Sequence, residues 1–260
     1  MRSISVITIC FNNLADLQRT CASVDAQTIL PDEHWVINGS TNNDIEQWLL
    51  HTPQPPYRRW LNERDKGISD AFNKGIHQAG SEITHLLNSG DRYASNDVLE
   101  GVMGVFAHNF SIQWISGNIQ MTRAGKSVIV GKPFEKNKLY RGMRSVSHPT
   151  WFVKKQVYSR VGLFSSEYKM AMDYDLLCRL KNEPYAYIDK VIAVFDDTGV
   201  SSSNYIASLK ESRIVYESYF GFSFLLVIWQ LRLKLLHYLL QTRFGKWLFE
   251  LKKKAGLENM

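Results

Sequence analysis

The most constraining feature of this 260-residue chain is the stretch from residue 65 to residue 91, which reads DKGISDAFNKGIHQAGSEITHLLNSGD. Its pattern predicts a loop, a helix, a buried strand and then an acidic turn at the carboxyl end of that strand. In open α/β sheets, ligands bind in the crevice outside the carboxyl ends of the strands. The stretch therefore predicts where a charged ligand binds, and Asp91 is placed to hold a metal ion against a phosphate.

Strands and helices alternate along the first part of the chain. Runs rich in β-branched residues predict strands at residues 3–10, 33–38, 57–62 and 82–87. The segments between them carry apolar residues at helical spacing. Strands separated by helices of roughly 10–15 residues predict βαβ units, and therefore an α/β fold with a mainly parallel sheet. After Gly117 the pattern changes to that of a hairpin, centred on residues 123–126.

The net charge of +6 is concentrated near the end of the chain. From Lys210 to Met260 there are nine basic and four acidic residues, whereas the preceding part carries 22 basic and 21 acidic residues. This distribution argues against a nucleic-acid groove across the main domain. It predicts a local basic patch in the tail and no nucleic-acid partner.

Cysteine usage and the N-terminal residues predict a cytoplasmic protein. Cys10, Cys21 and Cys178 are odd in number and lack metal-ligand spacing, which indicates structural thiols in a reduced compartment. The first ten residues, MRSISVITIC, run directly into a strand pattern without the features of a signal peptide.

Several motifs occur in a fixed order, each at the end of a predicted strand or the start of a helix: SVITICFNN, VINGSTNND, DKGISDAFNKGI, LLNSGD, SHPTWFVKK and MAMDYDLLCRL. Together they resemble the family 2 glycosyltransferases of GT-A fold, and most closely enzymes of bacterial exopolysaccharide, colanic-acid and O-antigen assembly. The resemblance covers roughly residues 3–200. It implies a Rossmann-like GT-A catalytic domain at residues 1–200, with a helical, basic extension at residues 201–260.

The resemblance implies a nucleotide-sugar site at the ends of the first three strands. Phe11 is expected to pack near the base, Asn38 to hydrogen-bond it, and Asp65 to reach the nucleoside, with Lys66 near phosphate. Judged from the residues alone, Phe11 could instead be a core aromatic, Asn38 and Asp65 turn-formers, and Lys66 a solvated charge. The family usually has an aspartate near Asn38. An asparagine can still accept from a uracil N–H, but it lacks the charge-assisted strength of a carboxylate.

Asp91 is the candidate metal ligand. In the family this turn is rich in aspartate and holds Mn²⁺ or Mg²⁺ on the donor diphosphate. Here residues 88–91 read Asn-Ser-Gly-Asp, so one carboxylate remains. Such cations often use one or two carboxylates together with substrate phosphates, so a single aspartate is compatible with binding. The alternative is that Asp91 only caps the next element.

Asp173 is the candidate general base, because the resemblance aligns it with the residue that deprotonates the acceptor hydroxyl. An acidic residue in the first turn is also a common helix start, and this alternative suits Asp175, which is expected to support the site or the helix. His148 could bind the acceptor, contact the diphosphate or satisfy a buried hydrogen bond. Arg179 could meet phosphate or be a solvated charge.

The segment from Phe220 to Gln241 is apolar nearly all round as a helix, apart from a narrow polar stripe of Gln230, Lys234, His237 and Gln241. Charged residues interrupt it too early for the ~20 apolar residues that a spanning helix needs. The pattern favours an interfacial helix, with Trp229, Trp247 and residues 252–254 near lipid headgroups. The alternative is a helix packed on the catalytic domain or on a dimer partner.

These features predict an inverting hexosyltransferase that uses a nucleotide-diphosphate sugar, with a UDP-sugar as the expected donor. The expected acceptor is a lipid-linked saccharide of bacterial surface polysaccharide, either exopolysaccharide or lipopolysaccharide. The expected location is the cytoplasmic face of the inner membrane, with the enzyme bound peripherally to the membrane surface. A non-catalytic GT-A scaffold in a polysaccharide-assembly complex is the alternative. A dinucleotide oxidoreductase fits less well, because no G-x-G-x-x-G follows the first strand.

Overall fold

The structure is a computed structural model that describes residues 3–123, 126–143, 146–195, 204–242 and 245. The strands are β1 (Ile4–Cys10), β2 (Glu33–Asn38), β3 (Arg58–Asn62), β4 (Ile83–Leu86), β5 (Arg92–Tyr93), β6 (Trp114–Arg123), β7 (Lys126–Val130), β8 (Phe152–Lys154) and β9 (Tyr185–Phe195). The helices are α1 (Leu14–Asp25), α2 (Asp44–His51), α3 (Ile68–Gln78), α4 (Val98–His108), α5 (Lys155–Val161), α6 (Met172–Leu180), α7 (Tyr205–Phe220) and α8 (Phe224–Gln241). Two 3₁₀ segments occupy Lys136–Arg141 and His148–Thr150.

One mixed sheet organises the described residues, in the order β3-β2-β1-β4-β8-β6-β9-β5, with β7 beside β6. The pairs among β1, β2, β3 and β4 are parallel, which confirms the predicted βαβ units. In the other half the sheet is mixed: β6 and β9 are parallel, whereas β8 runs antiparallel to β4 and β6, and β5 runs antiparallel to β9. The pairing of β6 with β7 is antiparallel as well, because parallel pairing needs a crossover of a dozen or more residues, which the short connection between these two strands cannot provide.

The hairpin expected near residues 123–126 is confirmed by the antiparallel pairing of β6 with β7, in which Arg123 lies opposite Lys126. The two residues between them lie outside the described part of the chain. The proposed boundary between residues 200 and 201 also lies outside it, as do Trp247 and residues 252–254.

Hydrophobic clusters cover both faces of the sheet. Along β1, Ile7 belongs to one cluster and its neighbour Val6 to another, because successive side chains of a strand point to opposite faces. The same alternation separates Trp114 from Ile115 on β6. The three cysteines are buried and free, as expected of structural thiols, and burial raises the pKa of each thiol to about 12.

Helix α3 packs so closely on the sheet that it needs a glycine at the contact. A Cβ atom added to Gly75 would lie 2.3 Å from Cγ2 of Ile7, which is fully buried and cannot move aside. Gly104 in α4 has no neighbouring atom within 4 Å of the same position. The two glycines therefore offer a matched test of packing against helix propensity.

We expect Gly75→Ala to destabilise the protein by about 1–3 kcal/mol, because the methyl group overpacks the interface between α3 and β1. Gly104→Ala should instead stabilise it by about 0.5–1 kcal/mol, because alanine loses less entropy than glycine in a helix. Chemical denaturation of the two variants measures both changes. Equal shifts of the same sign would contradict this description of the contact.

The carboxyl ends of β1, β2 and β4 lie at one edge of the sheet, because the three strands are parallel neighbours. The segments that leave this edge are residues 11–13, 39–43 and 87–91. The start of β8 lies at the same edge, since Phe152 pairs with His85 near the end of antiparallel β4. The His148–Thr150 segment directly precedes it. This edge therefore gathers most of the predicted site residues.

Candidate active site

Asn12 joins the loop after β1 to the turn after β2. Its φ of 53° is in the left-handed region, which asparagine tolerates better than most residues. Its Oδ1 accepts from the backbone N–H of Thr41 at 2.9 Å and of Asn42 at 3.3 Å, and its backbone N–H donates to Ser40 Oγ at 2.9 Å. The two turns therefore form one hydrogen-bonded cradle. The only signal of Asn12 in the sequence is the Asn-Asn pair after β1, which does not by itself indicate a site residue.

Asn38 and Asp65 meet at this cradle. Asn38 is buried, its Nδ2 donates to Asn62 Oδ1 at 3.0 Å, and its Oδ1 accepts from the Ser40 N–H at 3.1 Å. A Cβ atom on Gly39 would lie 1.8 Å from Asp65 Oδ2, so only a glycine lets the carboxylate lie against the β2 turn. Asn38 and Asp65 both stabilise turns, which is the alternative role stated for them above. They also lie together where a nucleoside is expected.

Phe11 and Lys66 are exposed beside the cradle. Phe11 is 57% exposed, so its interpretation as a core aromatic is wrong and its ring can stack on a ligand. The backbone N–H of Lys66 donates to Asp70 Oδ2 at 2.9 Å, while its side chain points into solvent. The role of Lys66 at a phosphate stays a prediction.

The acidic turn after β4 is held by Thr20 on α1. The Thr20 hydroxyl donates to the Asp91 carbonyl at 2.7 Å and accepts from the Gly90 N–H at 3.0 Å. Gly90 has φ of 105°, a conformation that favours glycine. The Ser89 N–H donates to the carbonyl of Ile9 at 3.1 Å, which fixes the turn beside the end of β1. Asp91 is thus buried in a turn that is held from two sides. Thr20, like Asn12, has no sequence signal that indicates its role at this turn.

The turn offers oxygen ligands of the kind that Mn²⁺ and Mg²⁺ take. Besides the Asp91 carboxylate, Asn88 Oδ1 and Ser89 Oγ are buried and have no hydrogen-bond partner among the described residues. An all-oxygen set suits these cations. No group of three or more His, Cys, Asp or Glu side chains in the described ranges could hold a metal alone. The residues therefore fit a cation that takes its other ligands from a bound phosphate.

Asp173 lies in the first turn of α6, where its side chain is partly exposed. Desolvation raises the pKa of its carboxyl from 3.8 to about 6, although the Tyr174 N–H, which donates to Oδ1 at 2.8 Å, opposes the shift. The negative charge of Glu211 raises the pKa further. A pKa near the working pH is what a general base needs.

Glu211, on α7, fixes the segment that leads into α6. Its carboxylate accepts from three successive backbone N–H groups, those of Lys169 at 3.0 Å, Met170 at 2.6 Å and Ala171 at 2.6 Å. Bonds to an ionised acceptor are among the stronger hydrogen bonds in proteins. The C-terminal part of the chain therefore positions Asp173, and no sequence motif signalled this.

Asp175 and Arg179 serve the fold. Asp175 is buried, and its carboxylate pairs with Arg179 at 2.6 Å and accepts from the Tyr219 hydroxyl at 2.7 Å. Arg179 also donates to three backbone carbonyls, those of Val161, Gly162 and Leu163. These contacts tie α6 to α7 and to the end of α5, which agrees with the supporting role expected of Asp175.

His148 is buried among aromatic rings at the ligand edge of the sheet. Its ring centroid lies 5.1 Å from that of Phe72, 5.4 Å from that of Trp151 and 5.7 Å from that of Phe164. Burial lowers the pKa of the imidazole to about 4, so the ring is neutral at physiological pH. A neutral ring can form hydrogen bonds but no ionic contact with a diphosphate, and the role of His148 at a ligand stays a prediction.

Comparisons with known proteins identify the family and the fold. Residues 5–162 match the family model described as Glycosyl transferase family 2. The uncharacterized glycosyltransferase Rv1514c of Mycobacterium tuberculosis is 32% identical over 204 residues, which is 77% of each chain. The PGL/p-HBAD biosynthesis glycosyltransferase Rv2957 of the same species is 21% identical over 228 residues, covering 86% of this chain and 84% of the relative.

Among solved structures, Staphylococcus aureus TarS superposes with a TM-score of 0.62 at 16% identity, over 84% of this chain and 40% of the TarS chain. The mannosyltransferase PcManGT of Pyrobaculum calidifontis, in complex with GDP-Man and Mn²⁺, gives a TM-score of 0.61 at 14% identity, over 84% of this chain and 64% of its own. At such identities the likeness concerns the fold, which is the GT-A fold. On the family match and the mycobacterial relative, the chain belongs to glycosyl transferase family 2.

Proposed function

We propose that this chain is an inverting transferase that moves a hexose from a nucleotide-diphosphate sugar to a lipid-linked saccharide during bacterial surface polysaccharide synthesis. A UDP-sugar is the expected donor, and the inner face of the cell membrane is the expected location. The observation that carries the proposal is the meeting of the Asn38 turn, Asp65, the Asp91 turn and His148 at one sheet edge. TarS in complex with UDP-GlcNAc and PcManGT with GDP-Man and Mn²⁺ support a nucleotide-sugar donor.

Different residues at this edge of the sheet bind different parts of the donor. The cradle closed by Asn12 receives the nucleoside, with Phe11 against the base and Asp65 reaching the ribose or base. Asn38 Oδ1 accepts from the Ser40 N–H and, weakly, from the Cys10 thiol, and a base N–H would take the place of the thiol. Asp91, with Asn88 and Ser89, would hold a divalent cation against the diphosphate. When bound, that cation would neutralise the charge that develops on the leaving group.

Asp173 acts on the acceptor. Its ionised carboxylate accepts the proton of the acceptor hydroxyl as the oxygen attacks the anomeric carbon. The bond to the nucleotide diphosphate breaks on the opposite side, so the anomeric configuration inverts. His148, neutral in its aromatic surroundings, can hydrogen-bond an acceptor hydroxyl.

A non-catalytic scaffold is the second candidate function. It is favoured by the amide at Asn38 and by the single carboxylate in the turn at residues 88–91. Against it stands Glu211, whose three hydrogen bonds fix the start of the Asp173 helix. A scaffold has no need of a carboxyl group whose pKa is raised toward neutrality.

Donor binding by the full-length protein tests the proposal. We expect one member of a panel of UDP-, GDP- and dTDP-sugars to bind in the presence of Mn²⁺, to dissociate when a chelator is added, and to release its nucleotide diphosphate slowly. Isothermal titration measures the first two results, and a nucleotide-release assay measures the third. If the folded protein binds no donor, the transferase proposal fails and the scaffold replaces it.

A further inference from the structure

Helix α8 turns its polar side toward the protein. Gln230, one of the residues in its polar stripe, is 6% exposed, and its Nε2 donates to the carbonyl of Leu209 on α7 at 2.7 Å. The ring of His237 lies 5.1 Å from the ring of Tyr205 at the start of α7, and Lys234 is partly buried. Gln230, Lys234 and His237 of the stripe thus lie on the packed side of the helix, whereas Gln241 at its end is exposed.

The apolar side of α8 consequently faces outward. Six large apolar residues at helical spacing are each more than half exposed: Phe224 at 75%, Leu225 at 60%, Ile228 at 63%, Leu231 at 57%, Leu235 at 62% and Tyr238 at 57%. Phe222, two residues before the first residue of the helix, is 62% exposed as well. Contiguous exposed apolar patches of this kind mark sites of interaction with a membrane or another protein. Among the described residues no helix is long and apolar enough to cross a membrane.

Two arginines flank one tryptophan at this surface. The guanidinium carbons of Arg141, at the end of the 3₁₀ segment, and of Arg232, on α8, each lie 5.2 Å from the centroid of the Trp229 ring. Neither arginine forms an ion pair within the described ranges. Arginine presents a planar fork of donors that matches phosphate geometry, and both arginine and tryptophan are favoured at membrane interfaces.

The charge of the segment selects the occupant of this surface. From residue 218 to residue 249 the chain has four basic residues and no acidic one. In a symmetric dimer through α8, Arg232 would approach its own copy or other cations, with no carboxylate of the segment to pair with it. A bilayer that contains anionic lipid supplies both an apolar layer and phosphate groups.

We propose that the outward face of α8, together with Arg141 and Arg232, docks on a lipid bilayer that contains anionic phospholipid. The apolar side chains enter the headgroup region, and the two guanidinium groups bind lipid phosphates. Arg141 lies seven positions before His148, so docking would bring the membrane to the segment that leads into the acceptor side of the site. The link to acceptor delivery rests on the proposed function, whereas the docking itself does not.

Vesicle flotation with the full-length protein tests the surface, using vesicles of phosphatidylcholine alone or with added phosphatidylglycerol. We expect binding to the mixed vesicles and little binding to the neutral ones. The double variant Arg141→Gln/Arg232→Gln should lower the partition coefficient by about 30-fold, from the loss of two charges near the surface. Ile228→Asp should lower the partition coefficient by more than about tenfold, because a charged group replaces an apolar side chain that would enter the bilayer.

Matched controls come from β7 and its surroundings. Ile129 on β7 is 58% exposed, so Ile129→Asp makes the same change as Ile228→Asp on another surface and should leave flotation unchanged. The pair Lys126→Gln/Lys132→Gln removes two exposed positive charges elsewhere and should have little effect. Equal flotation of the wild type and the arginine variant would overturn the proposal. Loss of a dimer on Ile228→Asp, without vesicle binding by the wild type, would assign the face to a second copy.

Donor turnover separates this inference from the transferase proposal. The Arg141→Gln/Arg232→Gln and Ile228→Asp variants should both release nucleotide diphosphate from a soluble donor at the wild-type rate. None of these three residues lies in the cradle formed by the turns after β1 and β2. A wild-type protein that binds vesicles but turns over no donor would retain the docking surface and remove the transferase. A wild-type protein that turns over donor but does not bind vesicles would remove the docking surface and retain the transferase.

Discussion

Replacing Asp173 with asparagine will lower sugar transfer by about 10²–10⁴-fold, the usual contribution of a general base. Donor binding will stay at the wild-type level, because Asp173 acts on the acceptor and not on the nucleotide. Asparagine keeps the size of the side chain, and its Oδ1 can still accept from the Tyr174 N–H. Single-turnover transfer and donor titration, measured on the same preparation, separate the two effects.

The pH profile of the wild type is an independent test of Asp173 as the general base. The pKa of the Asp173 carboxyl is raised to about 6, so the carboxylate required as base is lost as the pH falls through that value. We expect kcat/KM to fall below about pH 6 and this acidic limb to vanish in the Asp173→Asn variant. Asp97→Asn, a change at a surface residue paired with Lys190, is the control and should leave rate and profile intact. Normal transfer by Asp173→Asn would remove Asp173 from the mechanism.

Asp91→Ala is expected to weaken donor binding in Mn²⁺ by at least about tenfold, because losing even an indirect supporter of a metal site costs 10–100-fold. The variant should bind donor no better with Mn²⁺ than with chelator. Its fold should survive, because Thr20 holds the turn through the Asp91 backbone carbonyl and not through the carboxylate. Titration of donor with and without Mn²⁺ measures the effect, and circular dichroism checks the fold.

Asp16→Ala is the matched control for Asp91. Asp16 lies on α1 beside the same turn, with its Cβ 4.0 Å from the position a Cβ on Gly90 would take, and it pairs with Arg19 on the surface. Its removal should leave metal-dependent donor binding unchanged. If chelator does not weaken binding to the wild type, the metal role of Asp91 is wrong, whatever the variant does.

The sequence predicted the parts of the fold that local periodicity determines. The strands from β1 to β4 were predicted to within one residue at each end, because each carries a full period of apolar positions. The antiparallel pairings of β5 and β8 were harder to predict, since β5 has two residues and β8 has three, too few to display a period. Their pairing depends on tertiary contacts that no local pattern records.

The site residues likewise fall into those that the sequence indicated and those that it did not. Asp91 and Asp173 could be selected because a strand end and a helix start are visible in the sequence. Thr20 and Glu211 could not, because their partners lie 71 and 40 positions away in the chain and only folding brings them together. The polar stripe of α8 was visible too, but a stripe shows only that a helix has two sides and not which of them packs.

The contacts of Glu211 have a consequence for where this chain can be divided. A fragment ending at residue 200 would keep every motif of the family but would lose the carboxylate that holds residues 169–171, and also the Tyr219 hydroxyl bound to Asp175. The segment that leads into α6, with the candidate base Asp173, and the C-terminal helices therefore form one structural unit. Chimeras that exchange tails with a relative should keep this segment in position only when α6 and α7 come from the same parent.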